Sequence, residues 1–149
     1  MVASLIAVLG TLLGSVTAYM LQQRGARTER AESRTEAARR DRIAAVTAVV
    51  VALNDHRRAM WVREDLRLAD ADETAYQAAR TESHITRSAL TAPLVTVEIL
   101  APELAGAANA AARAAYAMRN AADTDALTAL RTEAMDAADR LVRQAAALA

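Results

Sequence analysis

No cysteine occurs anywhere in the 149 residues, which excludes disulfides and thiolate-bound metals. That absence fits a cytoplasmic domain. Lysine is missing as well, so all eighteen basic residues are arginine. Alanine makes up about a quarter of the chain, and the two biases together point to GC-rich coding before they point to function. Phenylalanine is absent and aromatics are 3% of residues, so any core must be thin and closely spaced. The four glycines are scattered and form no phosphate-cradling loop. An excess of charge of one sign is lacking too. Eighteen basic residues balance eighteen acidic ones and the pI is about 6.7, so there is no overall basic field, and nucleic acid is not the expected partner. No serine or threonine stands beside a histidine in a nucleophile pattern. Neither catalysis nor a cofactor is expected.

Long apolar runs are also scarce, and the single one dominates the chain. Residues 2–21 read VASLIAVLGTLLGSVTAYML, without a charge. Twenty residues of helix reach about 30 Å, the thickness of a bilayer's hydrocarbon core. No basic residue precedes the run, as one would in a cleaved signal peptide. Arg24, Arg27, Arg30 and Arg34 come after it, within reach of lipid headgroups. By the positive-inside rule the expected topology is a single-pass plasma-membrane protein, N-terminus outside and the bulk of the chain in the cytoplasm. Gly10, Gly14 and Ala18 recur every four residues, a row that lets membrane helices approach and self-associate into a homo-oligomer.

Beyond the anchor, residues 22–42 carry seven arginines against Glu29, Glu32, Glu36 and Asp41, and their apolar positions are all alanine. This is the composition of a solvated helical stalk. From residue 43 the pattern turns amphipathic. Ile43, Val46, Val50 and Leu53 step by three and four, and Met60, Trp61 and Leu68 roughly continue the stripe. A turn at 70–73 offers Asp70 as a cap for the next helix, with Glu73 three residues on. The second helix is expected over 72–100, with Pro93 kinking it or starting a new one. The segment LVTVEIL (94–100) alternates like a strand. The chain offers a lone strand no partner, so helix is preferred. Pro102 suits the first turn of a third helix, and Asp123, Thr124 and Asp125 suit the cap of a fourth.

The expected fold is therefore all-α. A transmembrane anchor (1–21) leads through a charged helical stalk (22–42) to an antiparallel bundle of about four helices (43–149). Within the bundle, His56 and His84 are the only histidines. In a hairpin turning near Asp70 they lie side by side, so they are the candidates for a divalent metal, with Asp55 or Glu82 as a further ligand. The simpler expectation is that both are solvated and that no metal is bound. Arg57, Arg58 and Trp61 form a candidate partner patch, with Trp61 also expected in a cluster with Met60 and Tyr76.

The opening SLIAVLGTLLGSVTAYMLQQR and the adjoining ARTERAESRTEAARRDRIAA resemble the N-terminus of KilB-like proteins, small membrane-associated proteins of actinobacterial conjugative plasmids and integrated elements. The likeness covers about residues 4–60, with an Ala-rich helical tail beyond. The resemblance implies a role in plasmid spread within the recipient mycelium after transfer. It carries over no catalytic residues. The expected function is a non-enzymatic scaffold in conjugative spread, with membrane lipid, further copies of itself and plasmid-transfer proteins as partners. The alternatives are a membrane-tethered ligand- or metal-binding bundle built on His56 and His84, or a scaffold for envelope or division proteins.

Overall fold

The computed structural model describes the secondary structure of residues 2–148 and the side chains of residues 32–148. It is helical throughout: α1 (Val2–Leu68), α2 (Glu73–Ala89), α3 (Thr91–Leu100), α4 (Pro102–Ala117) and α5 (Thr124–Ala147). No strand occurs among the described residues. Two compact units divide the chain, Met1–Ala38 and Arg39–Ala149. In the first, the described side chains are exposed apart from a half-buried Ala37. The side chains of the apolar run at 2–21, with its Gly10, Gly14 and Ala18 row, lie outside the described residues, as do those of Arg24, Arg27 and Arg30. Arg34 is described and exposed. Among residues 32–148, whose side chains are described, no helix is long and apolar enough to cross a membrane.

The second unit is a bundle whose directions are set by its contacts. Near one end, Arg42 on α1 donates its Nε–H to the Leu100 carbonyl at 3.0 Å and lies 4.0 Å from Glu103. Near the other end of α1, Glu64 and Arg67 meet Asn120 and Ala121 just past α4. α1 and α4 therefore run the same way. α2 and α3 together make the return leg between them, and α5 comes back along α4.

The element ends have plain causes. Asp70 and Asn120 take the left-handed conformation at φ 48° and 60°, a region that Asp and Asn tolerate best among residues with a Cβ. After α1, Ala71 N–H bonds the Leu66 carbonyl and Asp70 N–H the Arg67 carbonyl, the paired bonds of a Schellman stop. Asp70 thus ends α1. The cap of α2 is Asp72, whose carboxylate accepts Ala75 N–H at 3.1 Å, which corrects the expected cap at Asp70. Pro93 cannot donate to the Ala89 carbonyl, and its ring crowds that oxygen. The helix accordingly breaks at Leu90 into α2 and α3. Residues 94–100 are helical. Pro102 opens α4 after Ala101, which leaves helical geometry at φ −146° and ψ 62°, and the Asp123 carboxylate accepts Ala126 N–H at 2.7 Å at the start of α5.

The core is built of small residues. α4 buries Leu104, Ala108, Ala111, Ala112 and Ala115, and α5 answers with Leu127, Ala134, Ala137 and Leu141. α1 contributes Ala45, Val46, Val49 and Leu53. The stripe on α1 is rotated from the expected one: Ile43 is 50% exposed and Val50 only half-buried, while Ala45 and Val49 face inward. Alanine packing of this kind leaves no slack for a larger side chain. Ala111→Leu should cost about 1–3 kcal/mol in urea denaturation, while Ala110→Leu on the exposed face should be near neutral. Gly106 is exposed in α4, and a Cβ there meets nothing within 4 Å. Gly106→Ala should therefore stabilise by about 0.5–1 kcal/mol in the same titration.

Candidate functional site

Four polar residues are buried among the described residues: His56, Arg63, Glu64 and Ser83. Three of them lie in succession along the inner face of α1, at steps that continue Val49, Leu53 and Met60. His56 is 1% exposed, which overturns the expectation that both histidines are solvated. His84 is exposed, as expected. The inward position at this step of α1 is held by His56. Arg57 is half-buried, and its guanidinium donates to Asn54 Oδ1 at 3.1 Å.

His56 and His84 do line one narrow cleft, with Met60, Arg63, Ser83, Arg87, Tyr116 and Arg119. α1, α2 and α4 each supply part of it. The Thr86 hydroxyl donates to the Glu82 carbonyl at 3.0 Å, so it faces His56 Nδ1, 3.1 Å away, as an acceptor. His56 therefore donates from Nδ1, and its Nε2 carries a lone pair. That Nε2 is buried without a hydrogen-bond partner. The Tyr116 ring meets the imidazole edge-on at 5.3 Å, and the Arg87 guanidinium lies 4.3 Å from the centre of the same tyrosine ring. Burial, with the charge of Arg87 adding to it, pushes the His56 pKa down from 6.5 to about 4.

A second polar cluster adjoins the cleft. Glu64 is 0% exposed and holds Arg67 through a 2.7 Å bond to Oε2. The same oxygen accepts Asn120 N–H at 3.1 Å, and Arg67 reaches on to the Ala121 carbonyl. Arg63 lies 3.7 Å from Glu64 Oε1, donates to Ser83 Oγ at 3.3 Å and sits over the Tyr76 ring. One carboxylate and two guanidiniums thus tie α1 to α2 and to the turn after α4. Composition gives no hint of this cluster, because a charged triplet on a helix usually marks its solvated side.

The remaining candidates fall elsewhere. Trp61 is half-buried against the core, with the Arg131 guanidinium 4.6 Å from its ring centre. Met60 is buried and Tyr76 half-buried, and Tyr76 packs with Arg63. Arg58 is exposed beside Asp55 at 3.9 Å. Burial, then the charges of Arg131 and Arg58, lowers the proton affinity of Arg57. No group of three or more His, Asp or Glu able to hold a metal occurs among the described residues. Asp55 is engaged by Arg58, and the surroundings of the two histidines are cationic.

Comparison with known proteins places this bundle. The chain matches the model of the KilB plasmid transfer protein family over residues 43–149. It belongs to that family. It is 62% identical over 146 residues to Protein KilB of Streptomyces lividans, an alignment that spans 98% of this chain and 97% of that protein. No solved structure matches. The KilB match lies on the bundle, so it shares only 43–60 with the stretch that carried the resemblance in the sequence. The matched residues include all four buried polar side chains.

The buried charges of this KilB-family bundle make its stability testable in two ways. Removing the Glu64 carboxylate strands Arg67 and Asn120 N–H, so Glu64→Ala should cost about 3–5 kcal/mol, whereas Arg58→Ala at the exposed pair should cost under about 1 kcal/mol. Equilibrium urea curves separate the two. The His56 imidazole takes a proton near pH 6.5 when unfolded but only near 4 when folded. Stability should therefore fall as pH drops through that window, with its full loss reached below the lower value. The His56 share is roughly 3 kcal/mol. His56→Gln, measured over pH 4 to 7, should lose that part of the slope.

Proposed function

We propose that the chain is a non-enzymatic, single-pass membrane protein whose helical bundle self-associates and recruits partners during plasmid transfer. The observation that carries this reading is family membership over the bundle, with 62% identity to Protein KilB along nearly the whole chain. The apolar run at 2–21 supports an anchor, and Arg24, Arg27, Arg30 and Arg34 support retention of the stalk and bundle in the cytoplasm beside anionic headgroups. The row of Gly10, Gly14 and Ala18 supports assembly of anchors side by side in lipid. Partners in the transfer apparatus would dock on the face carrying Arg57, Arg58 and Trp61. Arg131 extends that face, since its guanidinium lies over the Trp61 ring.

The experiment joins topology to assembly. The full chain is expressed with a C-terminal reporter active only in the cytoplasm. It is then extracted and sized in detergent by light scattering, beside Gly10→Leu/Gly14→Leu. The expected outcome is an active reporter, and an oligomer that the double substitution reduces toward monomer. A silent reporter or a cleaved N-terminus would overturn the topology. An oligomer indifferent to the substitution would remove the glycine row from the assembly and move self-association to the bundle.

A further inference from the structure

The cleft around His56 is lined by arginine from two helices and the turn after α4, and by no carboxylate. Arg63 comes from α1, Arg87 from α2 and Arg119 from just past the end of α4. In a chain with equal numbers of acidic and basic residues, such a one-signed lining is local, not compositional. Arg63 is partly neutralised by Glu64 at 3.7 Å. Arg87 and Arg119 have no ion-pair partner among the described residues, and Arg87 is held in place by the Tyr116 ring. Guanidinium groups offer planar forks of N–H donors that match the oxygens of phosphate. His56 also lines the cleft, and its Nε2 is buried without any hydrogen-bond partner. Unpaired buried nitrogens are costly in a finished fold, and a ligand oxygen at that position would satisfy this one.

We propose that this cleft binds a phosphate-class oxyanion, held by Arg63, Arg87 and Arg119, with one oxygen directed at His56 Nε2. The cleft measures about 20 Å³, which seats one water-sized oxygen. The rest of the anion stays at the open mouth, beside His84. The inference is independent of the membrane reading, because every group it uses lies in the bundle.

Binding carries a proton with it. His56 shares the cleft with Arg63 from its own helix, His84 and Arg87 from α2, and Tyr116 and Arg119 from α4 and its end, and none of these is a carboxylate. Charging the imidazole there is disfavoured. A dianion in the cleft reverses the local field and favours the imidazolium, which then donates from Nε2 to the bound oxygen. Affinity should therefore increase as pH falls.

The test uses the full-length chain in detergent, with inorganic phosphate and inorganic sulfate as probes, read by calorimetry and by thermal shift against sodium chloride at matched ionic strength. Sulfate does not titrate in the range used, so its pH dependence reports on the protein. The expected result is a saturable site for both anions and a shift in melting temperature beyond that of chloride. Affinity should fall at least about tenfold in Arg87→Gln and in Arg119→Gln, each a loss of about 1.4 kcal/mol. Both arginines are exposed, and the circular dichroism spectrum and urea midpoint of each variant check that the fold is kept. Sulfate affinity should rise from pH 7 to 5 in the parent and in His84→Gln, where His56 is the histidine left at the cleft, and that rise should vanish in His56→Gln/His84→Gln. Adenosine monophosphate distinguishes the source: equal affinity means that free phosphate suffices, and tighter binding means that a phosphomonoester is read. Stabilisation no greater than that of chloride, or binding indifferent to both arginine substitutions, overturns the proposal.

Discussion

The Glu64 carboxylate has no access to water, and the joints of the bundle depend on how its charge is met. An ionised carboxylate in such a place is tolerable only when opposite charge and donors surround it. Here one oxygen takes Arg67 and a backbone N–H, and the other faces Arg63. Those partners serve two joints. Asn120 marks the turn between α4 and α5, Arg67 continues to the Ala121 carbonyl beside it, and Arg63 hands the connection to Ser83 on α2. Meeting one charge therefore ties together α1, α2 and the turn that joins α4 to α5. A core built largely of alanine gains little area per residue from burial, so specific polar contacts set a larger share of the geometry than in a leucine-rich bundle.

The helix plan was legible because it rests on backbone chemistry. Pro102 starts α4 since it needs no donor, Asp123 caps α5 since its carboxylate reaches Ala126 N–H, and Pro93 divides the return leg since it has no N–H to give. Which way α1 faces was not legible. Val46, Val49, Val50 and Val51 cover much of a helical turn, so hydropathy there is nearly flat around the axis and a rotation by one residue changes little in the pattern. The inner face then continues through His56, Arg63 and Glu64, the reverse of what polarity suggests. Asp70, the expected cap, and Asp72, the one that caps α2, are the same residue type two positions apart. The left-handed backbone of Asp70 assigns it to the end of α1.

The candidate site was half legible for the same reason. The hairpin count brings His56 and His84 to one cleft, which holds in the structure. The count says nothing about which side chains turn inward, and it includes only α1 and α2. The groups that decide the chemistry include Tyr116 and Arg119, which arrive from α4 and its end, far along the chain. The arginines make the surroundings of the histidines cationic, where a metal site would need carboxylates. A reading confined to residues near the histidines in sequence sees Asp55 and Glu82 instead, and both the charge and the expected ligand change sign.

α2 shows how these observations fit together. Ser83 is its only buried residue. Its contacts to the rest of the bundle are made largely by polar groups: Ser83 and Tyr76 with Arg63, Thr86 with His56, and Arg87 with Tyr116. Apolar packing is insensitive to the charge of its neighbours, but contacts of this kind are not. A proton on His56 sets its positive charge directly against Arg87, which is held on Tyr116 at the α2 seam. Protonation at this one nitrogen thus acts on the attachment of a whole helix, and any ligand that alters the charge of the cleft acts on the same seam. The apolar helices α4 and α5, joined through alanine and leucine, have no comparable lever. If the bundle of this KilB-family protein changes its surface during plasmid transfer, α2 is the element whose docking energy is set by charge.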